Sequence, residues 1–170
     1  VKVAIIVLGD APPGLARSVL RGLPDPWARD RIERSDENMA ALLDRTRLQA
    51  DALRVLELVP HDDTGRFWLG LAAVDLMLAP LAYVCGIAPL GSKRGLVSWA
   101  RLGEGLPSDS LTFPERVIKE AAHELGHAAG LIHCAVHDCV MRASVRPDEM
   151  DLKRKTYCPS CMETLLQKLG

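Results

Sequence analysis

The run His123-Glu124-Leu125-Gly126-His127 sets two imidazoles four residues apart. On an α-helix that interval turns by about 40° and rises about 6 Å, so both rings share one face. The separation suits two nitrogens bonding one zinc ion at about 2.0–2.1 Å. Glu124 lies one residue on, about 100° round the helix, too far to be an equal ligand. It can instead contact a water on the metal and take its proton, while zinc lowers that water's pKa toward about 7. His133 follows six residues after His127. A continuing helix would put it about 240° round, facing away. The chain must therefore leave the helix, and Gly130 is placed to do so through the left-handed conformation that ends helices. Three histidines leave zinc the open position a catalytic site needs. A surface helix with accidental histidines is the bland alternative. Chance agreement at five specified positions is on the order of one in ten thousand, which argues against it.

Four cysteines form a second constellation: Cys134, Cys139, Cys158 and Cys161. A Cys-x-x-Cys pair with two further thiols predicts a closed, tetrahedral, structural zinc site. It would tie the segment after His133 to a C-terminal helix, Met162 to Leu169. A lobe that small buries little apolar area, so bound metal would contribute to its folding directly. A Cys158–Cys161 redox pair leaves Cys134 and Cys139 unexplained. Four unrelated buried thiols are the other alternative. His137 could replace a thiol but is taken as a loop residue. Cys85, alone in an apolar run, reads as a small buried hydrophobe. An odd count of five speaks against a disulfide framework.

These groups need a scaffold. Val1 to Gly9 predicts a fully buried strand, not a signal peptide, and Leu15 to Leu23 a short helix. Pro24 to Ser35 reads as loop or weak strand. Leu43, Leu48, Ala52, Leu53, Val55 and Leu56 recur at helical spacing and predict one long amphipathic helix from Asp36 to Leu58. Pro60 and His61-Asp-Asp-Thr-Gly65 should end it. Arg66 to Asp75, Leu81 to Ala88 and Gly95 to Arg101 are strand candidates. Phe67 to Leu90 is long enough for a membrane span, but its prolines, glycines and Asp75 favour two core strands and a turn. Thr112-Phe-Pro-Glu115 has the form of a capping box opening the helix Phe113 to Ala129 that carries His123 and His127. Mixed strands and helices in this order predict an α+β or α/β layered domain.

The 170 residues suit one domain, and 48% apolar with 25% charged is a globular balance. A net charge of −1 gives no basic field for nucleic acid or anionic lipid. One Asn, two Gln and an excess of Arg over Lys fit either a thermophile or a GC-rich genome.

The pattern His-Glu-x-x-His-x-x-Gly-x-x-His-Cys-x4-Cys-x-Met, followed by Cys-x-x-Cys, resembles the archaemetzincins, compact metzincin-type zinc metallopeptidases. The match covers His123 to Cys161, about a quarter of the chain. Weaker likeness extends to Arg47-Leu-Gln49, Val74-Asp75, Val84-Cys-Gly86, Val97-Ser98 and Arg101-Leu102. The resemblance implies that His123, His127 and His133 bind catalytic zinc, that Glu124 is the general base, and that the four cysteines bind a second zinc. Met141 would be the methionine of a Met-turn packed beneath the metal. It implies an α+β metzincin-like zincin fold: a twisted mixed sheet, a backing helix, the active-site helix and a zinc-stapled C-terminal lobe. The whole chain, 1–170, would be one metallopeptidase domain, with subdomains 1–130 and 131–170. Leu81 to Ala88 is the candidate for the antiparallel edge strand that pairs with extended substrate. Ala143 stands where some metzincins carry a tyrosine, so no fifth protein ligand is expected. The implied protein is a cytoplasmic, monomeric peptidase acting on peptides or proteins, with no nucleic-acid or membrane partner. Endopeptidase and aminopeptidase action both stay open. Asp75 is either an anchor for a substrate amine or one half of a core ion pair. The competing readings are an inactive zinc-stabilised binding module, which the intact Glu124 argues against, and a zinc hydrolase of non-peptide amides.

Overall fold

The opening apolar run forms β1, Lys2–Leu8, in a computed structural model that describes residues 1–61 and 64–170. Parallel partners flank it on both sides, β2 (Ala28–Ser35) and β4 (Phe67–Ala72). A strand so placed is covered on both faces, which explains its unbroken apolar character. Its residues divide by parity. Val3, Ile5 and Val7 enter one apolar cluster, while Ala4, Ile6 and Leu8 enter another. Beyond β4 lie β8 (Arg94–Ser98), also parallel, and the antiparallel edge strand β7 (Gly86–Ile87).

The first cluster holds α1 (Leu15–Gly22) and α3 (Thr112–Ala128), together with Leu165 of α4 (Pro159–Leu169). The second lies under the short helix α2 (Ala52–Leu56) and a small sheet of β3 (Ala50–Asp51), β5 (Leu76–Leu78) and β6 (Leu81–Val84). A 3-10 turn, Pro147–Leu152, is held to α3 by two contacts. Arg116 grips Asp151 with two hydrogen bonds of 2.9 and 2.6 Å, and Lys119 donates to the Met150 carbonyl. The result is the twisted, mixed α+β arrangement that the sequence predicts.

Two local expectations fail. The long helix from Asp36 to Leu58 is instead a 3-10 turn (Met39–Leu42), a loop, β3 and α2. Side chains of Asn38, Asp44 and Asp51 accept bonds from backbone N–H groups two or three residues on. Such local bonds compete with helical ones and break the periodic run into separate capped pieces. Pro24 to Ser35, read as loop or weak strand, holds the edge strand β2, where polar residues are tolerated on the outer face. The capping box is absent too: Leu111 is the N-cap and makes no side-chain cap. Ser110 Oγ accepts the Thr112 N–H instead, at 3.1 Å. Of the predicted helix stop, Asp62 and Asp63 lie outside the described residues.

Phe67 to Leu90 resolves into β4 in the core, β5 and β6 in the small sheet, and β7 at the edge of the large one. Among the described residues no helix is long and apolar enough to cross a membrane. The predicted strand Leu81 to Ala88 divides at Cys85. β6 pairs antiparallel with β5, and β7 pairs antiparallel with β8.

Candidate metal and active site

α3 carries His123, Glu124 and His127 on buried turns packed against β8 and the C-terminal segment. The helix ends as the glycine requires. Gly130 takes φ +99°, its N–H returns to His127, and the Leu131 N–H returns to the Gly126 carbonyl at 2.9 Å. This closure turns the chain back on itself and brings His133 beside the other two rings. The ring centroids of the three histidines lie 4.6, 4.9 and 5.3 Å apart. One ligand atom from each falls within 4.8 Å of the others.

Backbone carbonyls fix two of the rings. His123 Nδ1 meets the Val140 carbonyl at 2.8 Å, and His127 Nδ1 meets the Leu131 carbonyl at 2.7 Å. A carbonyl only accepts, so each Nδ1 carries the proton and each Nε2 presents a lone pair. Those two Nε2 atoms face each other at 3.0 Å. Two lone pairs cannot hydrogen-bond one another, so the arrangement fits a cation between them, with the carbonyls as outer-shell acceptors. Burial first, then the nearby Lys153 and His127, pushes the His123 pKa down to about 3. Burial also lowers that of His127. Both rings are thus neutral, the form that binds metal.

Glu124 is 4% exposed, and among the described residues its Oε2 has no hydrogen-bond partner. Burial, and then the Glu120 carboxylate, raises its pKa well above the ordinary range. The backbone of β7 passes directly over it. A Cβ on Gly86 would lie 2.6 Å from Glu124 Cγ, so only glycine leaves room for the carboxylate. Met141 is fully buried beneath the helix. A Cβ at Gly126, between the two helical histidines, would overlap its sulfur. A cavity of about 350 Å³ opens along this face of α3, between β6–β7 and the segment Ala143 to Arg146.

The four cysteines also converge, with their sulfurs within 4.8 Å of one another and no disulfide among them. Backbone N–H groups of Val136 and Cys158 point at the sulfurs of Cys134 and Cys139, at 3.4 and 3.3 Å. Such donors suit thiolate ligands. His137 is exposed and stands outside the cluster. Cys85 is partly buried and lines the cavity, its thiol pushed up to about 12 by burial. Asp75 is one half of an ion pair. Arg101 grips both its oxygens at 2.8 and 2.7 Å, and Gln49 donates to it at 2.9 Å.

Sequence reasoning passed over three buried groups near the site. Glu120 and Lys153 line the cavity, and Tyr157 donates from its hydroxyl to the Ala122 carbonyl at 2.6 Å. Glu120 was findable, being one helical turn before Glu124. Nothing local marks the other two.

A profile of peptidase family M54 matches residues 45–168. The chain belongs to that family. An archaemetzincin of Haloquadratum walsbyi is 32% identical over 96% of this chain and 98% of its own. The crystal structure of archaemetzincin from Archaeoglobus fulgidus superposes with a TM-score of 0.83 at 29% identity, covering 96% of this chain and 99% of that one. A zinc-dependent peptidase from Methanocorpusculum labreanum gives 0.80 at 26% identity, covering 96% and 99%. As an M54 member the chain is a zinc metallopeptidase and its substrates are peptides. Neither the inactive module nor the non-peptide hydrolase finds support in these relatives.

Proposed function

We propose that His123, His127 and His133 hold the catalytic zinc of this M54 peptidase and that Glu124 is its general base. The observation that carries the assignment is the pairing of two inward Nε2 lone pairs with a buried carboxylate oxygen that has no partner. A zinc ion in that position supplies Lewis acidity to the scissile carbonyl and lowers the pKa of water toward about 7. Glu124 takes the proton of the attacking water and delivers it to the leaving amine. Its apolar surroundings raise its affinity for that proton, as a base working near neutral pH requires. The unpaired side of β7 is available to an extended peptide, and the cavity beside α3 to one of its side chains.

The cysteines hold a second, structural zinc, giving two ions per chain. It organises a C-terminal subdomain, 131–170, against the N-terminal subdomain, 1–130, within a single peptidase domain. The protein acts as a cytoplasmic monomer without nucleic-acid or membrane partners.

The test is mass-spectrometric cleavage profiling of a diverse peptide library by zinc-loaded protein beside Glu124→Ala. Cuts made only by the parent support the assignment, and their positions separate internal from terminal attack. Equal cutting by the variant removes Glu124 from the mechanism.

A further inference from the structure

Lys153 is 4% exposed, a costly setting for an ammonium unless it is closely partnered. Its Nζ donates to the Arg142 carbonyl at 2.8 Å and to the Val140 carbonyl at 3.3 Å. These residues flank Met141, whose own carbonyl accepts from Cys134 N–H at 3.0 Å. Three successive carbonyls under the metal site are thereby engaged, two of them by one side chain. The Val140 carbonyl is also the acceptor for His123 Nδ1. A carbonyl oxygen has two lone pairs, so it serves the lysine and the histidine together.

We propose that Lys153 is a positioning residue for the three-histidine site, clamping the turn around Met141 so that the Val140 carbonyl stays aimed at His123. The proposal rests on the assignment of the histidines as zinc ligands. Its neighbours fit the role. The backbone on either side of Lys153 is strapped to the same segment: Arg154 N–H donates to the Asp138 carbonyl, and Val140 N–H to that of Thr156. Burial draws the Lys153 pKa down, while Glu120 and Glu124, which line the same cavity, favour its charge. Among the described residues Lys153 forms no ion pair with either, so its direct partners are the two carbonyls. Removing the ammonium leaves the Arg142 carbonyl without a donor and the Val140 carbonyl with one. The turn is then free to relax, and His123 loses its fixed orientation.

The experiment compares Lys153→Met with Lys153→Arg. Zinc affinity of the histidine site is measured by competition with a chromogenic chelator while the cysteines stay loaded. The His123 Nδ1 proton is followed by NMR in the same proteins. Loss of an outer-shell partner weakens metal binding by about 10- to 100-fold, and that is the loss expected for Met. The ring proton should shift and exchange faster. Arg, which still donates to carbonyls, should recover most of the affinity and the proton signal. A folded Met variant that binds zinc within about twofold of the parent, with its ring proton unmoved, overturns the proposal, whatever its melting temperature does. If Met does not fold, Lys153→Gln is read by the same two measurements, since its shorter amide cannot span both carbonyls. If the parent itself binds no zinc at the histidines, the ligand assignment fails. The ring-proton comparison then still decides whether Lys153 orients His123.

Discussion

The two ligand clusters stand close together in sequence and are built in opposite ways. Two of the histidines hang on a 17-residue helix with a buried face, and hydrogen bonds to backbone carbonyls orient their rings. The cysteines sit on irregular chain and at the N-terminus of α4, where Leu165 is the one fully covered residue. The first site is a product of the fold. The second, if it holds zinc as proposed, would help to order the irregular chain around it.

The largest effect that would expose this difference is functional. Glu124→Ala should lower kcat/KM by about 10²–10⁴-fold or more, while zinc content by mass spectrometry and the melting curve stay close to the parent's. A large loss of zinc on that substitution would mean that the carboxylate is needed to assemble the histidine site. The next test is chelation. A mild chelator should strip the histidine site first and leave the far-ultraviolet circular dichroism unchanged. Cys158→Ala should instead lose one zinc and lower the melting temperature by several degrees or more. That loss should be joined by faster amide exchange in the chain from Cys134 onward. Equal structural loss at both sites would erase the contrast.

Smaller effects sharpen it. Gly126→Ala forces Met141 aside and should cost about 1–3 kcal/mol in stability, the usual penalty for overfilling a packed site. Gly86→Ala should do the reverse, displacing the Glu124 carboxylate. Turnover should fall by about tenfold with the melting temperature nearly unchanged, since roughly 1.4 kcal/mol of barrier is a factor of ten.

What could be read in advance follows the same division. Ligand spacing is legible because a helix converts residue number into angle, and the glycine stop converts it into a reversal. The four cysteines are legible because few other groupings of thiols make sense. The segment Asp36 to Leu58 misleads because its apolar residues do recur at helical intervals. The decision is made by Asn38, Asp44 and Asp51, whose oxygens capture nearby N–H groups, and by Leu48, which adopts φ +56°. The capping box fails for a similar reason, a competing hydroxyl two residues earlier. Lys153 and Tyr157 carry no local signal at all. Their partners, Val140 and Ala122, are backbone carbonyls brought near by folding alone.

Gly126 gives the histidine motif a meaning beyond ligand spacing. In the written pattern it is a free position, yet it is the point where the helix rests on the Met141 sulfur. Transplanting the three histidines and the glutamate onto another helix would reproduce the ligands without their footing. A working copy would have to carry residues 126 and 141 together, as a matched pair of hollow and plug.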